Sequence, residues 1–146
     1  MKTQLLACCV LALMLPMSLA AQTCEGLPAT LTGTDGNDNL LGTAGDDVIV
    51  ALGGNDLVDG ASGNDIVCGG DGDDILIGGT GNDRLFGESG NDDLRGLEGD
   101  DVISGGSGHD SLRGDAGNDQ LTGDADDDVM VGAGGSDLCD GVSGVD

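Results

Sequence analysis

An apolar residue returns at every ninth position along most of this chain: Leu40, Ile49, Val58, Val67, Leu76, Leu85, Leu94, Ile103, Leu112, Leu121, Met130 and Cys139. Two residues before each stands an aspartate: Asp38, Asp47, Asp56, Asp65, Asp74, Asp83, Asp92, Asp101, Asp110, Asp119, Asp128 and Asp137. Counted in nines from Gly33, the register runs without a gap to Asp140, giving twelve copies, and residues 141–146 begin a thirteenth. With the places numbered 1 to 9, the aspartate is place 6 and the apolar residue is place 8. Place 1 is Gly except at Ala51, place 4 is Gly except at Asp126, and place 5 is Asn or Asp except at His109 and Ser136. The cleanest copy is Gly78-Gly79-Thr80-Gly81-Asn82-Asp83-Arg84-Leu85-Phe86.

This pattern predicts a turn followed by a short strand. Gly, with Asn close behind, tolerates positive φ, so places 1 to 5 suit a tight turn. Places 7 to 9 carry Val, Ile and Leu and suit a strand, on which alternation sends place 8 to one face and places 7 and 9 to the other. Two turns and two strands close one coil of 18 residues, twice the nine-residue unit. Successive coils then stack as parallel strands roughly 4.8 Å apart. The predicted fold class is all-β, a solenoid of about twelve half-coils. A second period of 27 residues relates Asp46-Asp47-Val48-Ile49-Val50 to the runs that begin at Asp73, Asp100 and Asp127. That spacing is one and a half coils, so these runs alternate between opposite sheets and read as a trace of duplication.

The flanking segments differ from the repeats. Residues 1–20 have the form of a secretory signal peptide: Lys2, an apolar stretch from Leu5 to Leu15, Pro16, then Ser18-Leu19-Ala20 with cleavage expected after Ala20. The apolar run is short of the roughly 20 residues a membrane span needs, and Cys8 comes too early for a lipoprotein box. The expected location is secreted, outside the cell or in a periplasm. Residues 21–32 read as an N-terminal cap segment that shields the first strand edge.

Composition narrows the chemistry. There are 28 acidic residues against four basic ones, a formal charge of −24. Such a chain repels nucleic acid and anionic membrane surfaces and attracts cations. It has no Trp or Tyr and a single Phe, Phe86, so its core is not an ordinary one. With 30 glycines this is also a disorder composition. Disorder is the expectation for the metal-free chain, while the phase-locked apolar place argues for an ordered native state.

Stacked coils put Asp38, Asp56, Asp74, Asp92, Asp110 and Asp128 in one column. Asp47, Asp65, Asp83, Asp101, Asp119 and Asp137 form the other. Carboxylates about 5 Å apart repel each other in water, and a hard cation between neighbours reverses that. Carboxylates and turn carbonyls make an all-oxygen donor set, which suits calcium better than zinc, copper or magnesium. All twelve aspartates are candidate metal ligands on this reading.

The nonapeptide resembles the repeats-in-toxin (RTX), or haemolysin-type calcium-binding, family, whose pattern is G-G-x-G-x-D-x-(aliphatic)-x. The match covers 33–140. The resemblance implies a parallel β-roll in which turn carbonyls and the place-6 aspartates hold calcium between stacked turns. Five gaps per column then give up to about ten ions. Members of this family often carry a catalytic or pore-forming domain ahead of the roll and an uncleaved C-terminal export signal. Here a leader stands in front, and the copies degrade at the end, with Asp126 for a turn glycine, Ser136 for Asn and Cys139 for an aliphatic residue.

Three cysteines follow the leader. Cys24 reaches Cys68 if the cap folds back along the roll; otherwise all three thiols are unpaired. Cys68, at place 9, is expected to face outward and Cys139, at place 8, inward. About four coils, or roughly 19 Å, keep those two apart. His109 reads as a substitute for Asn in a turn rather than a catalyst, and no nucleophile–base pair is visible, so no enzyme is expected. Place 3 forms no threonine ladder of the kind an ice-binding roll would present. The sequence therefore points to a secreted calcium-binding repeat protein that folds on binding Ca2+. The alternative is an extracellular adhesion, matrix or accessory module with calcium only structural, engaging an extracellular partner or associating end to end.

Overall fold

Each nine-residue copy supplies one strand, and consecutive strands fall in alternate sheets. In the computed structural model, residues 22–142 and Gly144 are described. The expected leader, its cleavage point and part of the terminal repeat lie outside the described residues. A small antiparallel hairpin comes first, β1 (Thr23–Cys24) and β2 (Leu27–Pro28). One parallel sheet then contains, as neighbours, β3 (Leu31–Thr32), β5 (Val48–Gly53), β7 (Ile66–Asp71), β9 (Arg84–Ser89), β11 (Val102–Ser107), β13 (Gln120–Ala125) and β15 (Leu138–Asp140). The other contains β4 (Asn39–Leu41), β6 (Leu57–Ser62), β8 (Ile75–Thr80), β10 (Asp93–Glu98), β12 (Ser111–Ala116) and β14 (Val129–Gly134). Leu76 pairs with Leu94 and Leu85 with Ile103, a step of 18 residues. The chain is thus an all-β parallel β-solenoid of about six coils. The 27-residue runs begin at β5, β8, β11 and β14, alternating between the sheets as their spacing requires.

The strands are longer than the three residues expected. From β5 to β14 each has six, running through places 7 to 9 and on through places 1 to 3. Pairing skips place 1 and resumes at places 2 and 3, as in Leu97 with Gly79 and Glu98 with Thr80. The turn is therefore confined to places 4 to 6. The glycines of places 1 and 2 had suggested turn chemistry, but stacking against coils on both sides offers their backbone groups ladder partners.

Place 8 fills the space between the sheets. Ile49, Val58, Val67, Leu76, Leu85, Leu94, Ile103, Leu112 and Leu121 are buried in one cluster, joined by Ala51, while Leu31, Leu40 and Met130 pack against it partly covered. Cys139 is in register with core residue Leu121, on the inward face as expected, but is exposed. It sits on β15, the end strand of its sheet among the described residues.

Within the N-terminal segment, Leu31–Thr32 pair along the edge of β5 and are the end strand of the seven-stranded sheet among the described residues. The hairpin lies on the outer face of that sheet, where Cys24, Val50 and Cys68 are buried with Ala29, Val48, Leu52, Ile66 and Phe86 around them. Place-9 side chains point outward there, and apolar ones need a cover. Cys24 and Cys68 are joined in a disulfide with Cα atoms 5.8 Å apart. Arg84 pairs with Glu25 at 2.8 Å and lies 5.4 Å from the centre of the Phe86 ring, fastening the hairpin further along the roll.

Two outcomes follow from this packing. Leu85→Ala empties a fully buried position in the middle of the roll and lowers stability by about 2–5 kcal/mol, read as a shift in denaturant midpoint at saturating calcium. Val131→Ala, at a site 46% exposed, shifts it by no more than about 0.5 kcal/mol. Non-reducing peptide mapping of the alkylated protein recovers Cys24 linked to Cys68 and Cys139 alkylated; any link to Cys139 contradicts the placement.

Candidate metal centre

The turn glycines serve two separate purposes. Gly81, at place 4, has a φ of +123°, a left-handed value that suits glycine, and a side chain there would run into the Gly63 carbonyl of the preceding coil. Gly78, at place 1, has no such φ; a side chain there would strike the carboxylate of Asp83 in its own copy. Place 1 is thus small to make room for the aspartate, and place 4 is glycine to let turns approach. Asp126 holds place 4 with φ 77°, a value Asp tolerates better than most residues, so the turn survives the substitution.

The place-6 aspartates stack in the two expected columns and are held there by backbone. The amide of Asp65 donates to Asp83 Oδ1 at 2.8 Å, and the amides of Asp56, Asp74 and Asp83 donate likewise to Asp74, Asp92 and Asp101 at 2.8 Å. Each carboxylate therefore leans back toward the preceding coil and gives one oxygen to it. The other oxygen has nothing: Oδ2 of Asp56, Asp65, Asp74, Asp83, Asp92, Asp101, Asp110 and Asp119 is buried without a hydrogen-bond donor. Asp128 continues one column by accepting from the Asp110 amide, and half-buried Asp137 continues the other, accepting from Asp119 at 3.1 Å.

Place 5 forms a second ladder that sequence reading passed over. Asn64 Oδ1 accepts from the Asn82 amide and Asn82 Oδ1 from the Asp100 amide, both at 2.9 Å, so these side chains lean forward, opposite to place 6. The signal was present in the Asn/Asp preference of place 5, which φ tolerance alone had seemed to explain. His109 stands at the same place of the ladder, its Nδ1 3.0 Å from the Asp127 carbonyl oxygen and 3.3 Å from the Asp127 amide nitrogen. Ser136 contributes its amide to the other ladder, to Asn118 Oδ1 at 3.2 Å.

The first coil is built differently. Asp38 Oδ2 accepts from the Thr34 amide at 2.6 Å and from its hydroxyl at 2.9 Å. Asp47 Oδ2 accepts from the Thr43 amide at 2.7 Å and hydroxyl at 2.8 Å, and its Oδ1 accepts from the Thr30 hydroxyl at 2.9 Å.

Ionisation follows these environments. Loss of solvent at burial pushes Asp65, Asp74 and Asp101 up to about 6 and Asp92 up to about 7, against the lowering effect of the amide each accepts. Neighbouring carboxylates of the column add to the rise. Asp83, Asp110 and Asp119 are raised by burial as well. Asp47 goes the other way, lowered chiefly by the Thr43 amide.

Buried carboxylate oxygens with no proton donor are what a cation site needs, and the donors at hand are all oxygen. Among the described residues no three His, Cys, Asp or Glu side chains converge on one point. A cation held here would draw one or two carboxylates of a column and complete its shell with turn carbonyls and water, which would suit calcium, whose shell is large and forgiving. It does not fit zinc, which favours four close nitrogen or sulfur ligands.

The raised carboxylates fix a pH dependence for the metal-free roll. A group whose folded value lies above its unfolded value, near 3.9 for Asp, stabilises the fold fully below the unfolded value. That contribution disappears as pH rises through the folded one. In chelator, circular dichroism shows more β-structure at about pH 4 than at pH 8, with the loss falling between about pH 4 and 7; a roll that gains order with rising pH contradicts the assignment. Comparison with curated proteins gives no match. The family model of the RTX calcium-binding nonapeptide repeat matches three consecutive segments, 32–67, 69–103 and 104–139. With most of its length so matched and its turns stacked in two aspartate columns, the chain belongs to the RTX calcium-binding nonapeptide repeat family.

Proposed function

We propose that this is a secreted calcium-binding roll, without catalysis, whose folding is coupled to Ca2+. One observation carries the reading: eight buried carboxylates each keep an oxygen with no proton donor. Burial of an unpaired charge costs several kcal/mol, and here the burial repeats along two columns. Asp56, Asp74, Asp92 and Asp110 on one side, and Asp65, Asp83, Asp101 and Asp119 on the other, hold the ions, with Asp128 and Asp137 extending the columns. Carbonyls of places 4 to 6 supply further oxygens, and bound calcium supplies the positive charge that lets neighbouring carboxylates stay ionised and stacked.

Coupling follows from the thin core. One inward side chain per strand is little to set against the entropy of ordering a glycine-rich chain. Metal that binds only the stacked state adds its binding energy to folding. The chain can then cross a membrane unfolded and order where calcium is millimolar, the range of extracellular modules. The signal-peptide pattern and the Cys24–Cys68 disulfide, a bond of oxidising compartments, support that destination.

A calcium titration followed by circular dichroism at pH 8 gives a cooperative rise in β-structure from a largely disordered start. A spectrum already β-rich in chelator and unmoved by calcium rejects the coupling. In Asp74→Ala/Asp92→Ala the midpoint rises by about tenfold or more and the transition broadens, since each loss of roughly 1.4 kcal/mol is a factor of ten.

A further inference from the structure

The twelve place-6 aspartates are identical in sequence, yet the first two sit in a different chemical setting. From the third copy on, place 2 takes a left-handed backbone even where it is not glycine: Leu52 at φ 83°, Ala61 at 77°, Glu88 at 74°, Leu97 at 83° and Ala133 at 76°. Place 4 is left-handed in the same copies, as at Gly54 and Gly63. In the first two copies neither place is: Thr34, Thr43, Gly36 and Gly45 all stay outside that region. Threonine is the reason. A β-branched side chain is a genuine outlier at positive φ, so Thr34 and Thr43 force the other turn. That turn aims the threonine amide and hydroxyl at the carboxylate four residues on, at 2.6 to 2.9 Å. The hydroxyls are engaged a second time, 3.2 Å from the Gly36 carbonyl and 3.3 Å from the Gly45 carbonyl.

We infer that the first coil holds no calcium: Thr34 and Thr43 close Asp38 and Asp47 with hydrogen bonds, and metal binding starts with the second coil. The inference rests on the calcium reading above and sharpens it. The oxygen that is buried and unpartnered from Asp56 to Asp119 is the one that threonine occupies in Asp38 and Asp47. In Asp47 both oxygens have donors, the second being the Thr30 hydroxyl. A cation would have to displace two hydrogen bonds and rebuild the turn before it met a comparable ligand set. The physical logic is that of an end. The first aspartate of each column has no place-6 carboxylate before it, so hydrogen bonds do there what a shared ion does further along. Withdrawing Asp38 and Asp47 removes one gap from each column and lowers the ceiling from about ten ions to about eight.

Native mass spectrometry of the whole secreted chain at saturating calcium counts the ions, with circular dichroism confirming that each variant is rolled. The unmodified chain holds no more than about eight; a higher count overturns the inference. Asp38→Asn/Asp47→Asn keeps an oxygen for the threonine amides and removes the charge, so the count stays at the unmodified value; a loss of ions overturns the inference. Thr34→Gly/Thr43→Gly frees both carboxylates and permits the left-handed turn, so the count rises by up to two; no gain shows that the threonines do not decide the matter and overturns it too. Asp74→Asn/Asp92→Asn lowers the count. If that variant keeps every ion, the place-6 columns are not the calcium sites and the wider reading fails, a result distinct from the other three.

Discussion

A carboxylate that leaves water loses several kcal/mol of solvation unless its oxygens find donors or a counter-charge, and this fold buries a row of them on each side of its core. Every other feature is an accommodation of those two rows. The backbone amide of one place-6 aspartate reaches the Oδ1 of the next, which fixes the axial register of the coils as firmly as the strand ladders do. Place 1 is kept small because a Cβ at Gly60 would sit 2.5 Å from Asp65 Oδ2. The apolar place 8 lies two residues beyond the aspartate, on the strand it leads into, so inward packing of Leu85 and burial of Asp83 are one event.

The two side-chain ladders run in opposite senses, place 6 leaning toward the N-terminal end and place 5 toward the C-terminal end. Each coil is therefore tied to both neighbours at adjacent residues of the same turn. A histidine is accommodated at His109 because its Nδ1 reaches the Asp127 backbone of the next coil. Ser136 contributes its amide to the ladder. Because each tie spans a full coil, a coil in isolation has nowhere to place these bonds, and the array orders cooperatively.

The ends show what the middle conceals. At one, a disulfide-linked hairpin covers apolar place-9 side chains, and threonines donate hydrogen bonds to the first carboxylates. At the other, place 2 ahead of Asp137 is Ala133, left-handed as in the interior, and Leu138 and Cys139 are exposed. The roll is asymmetric along its axis, and the asymmetry is written in two threonines.

Sequence alone determined the period, the alternation of turn and strand, the inward residue and the membership of the two columns, because each of these repeats with the chain and needs no knowledge of what lies across it. It also placed the 27-residue runs on alternate sheets, by arithmetic on the coil. Tertiary structure decided the rest. Strands extend through Gly78 and Gly79 because neighbouring coils offer ladder partners. Asn64 and Asn82 form a ladder because residues 18 apart in sequence become adjacent. The hairpin lies on a sheet face, and Cys139 is exposed on the end strand of its sheet among the described residues. Above all, aspartates that read alike come to differ: Asp47 has both oxygens reached by protein donors, while Asp83 keeps one oxygen left over. A repeating sequence fixes what each residue is; only the stacked neighbours fix which of its atoms remain unsatisfied, and the chemistry belongs to those atoms.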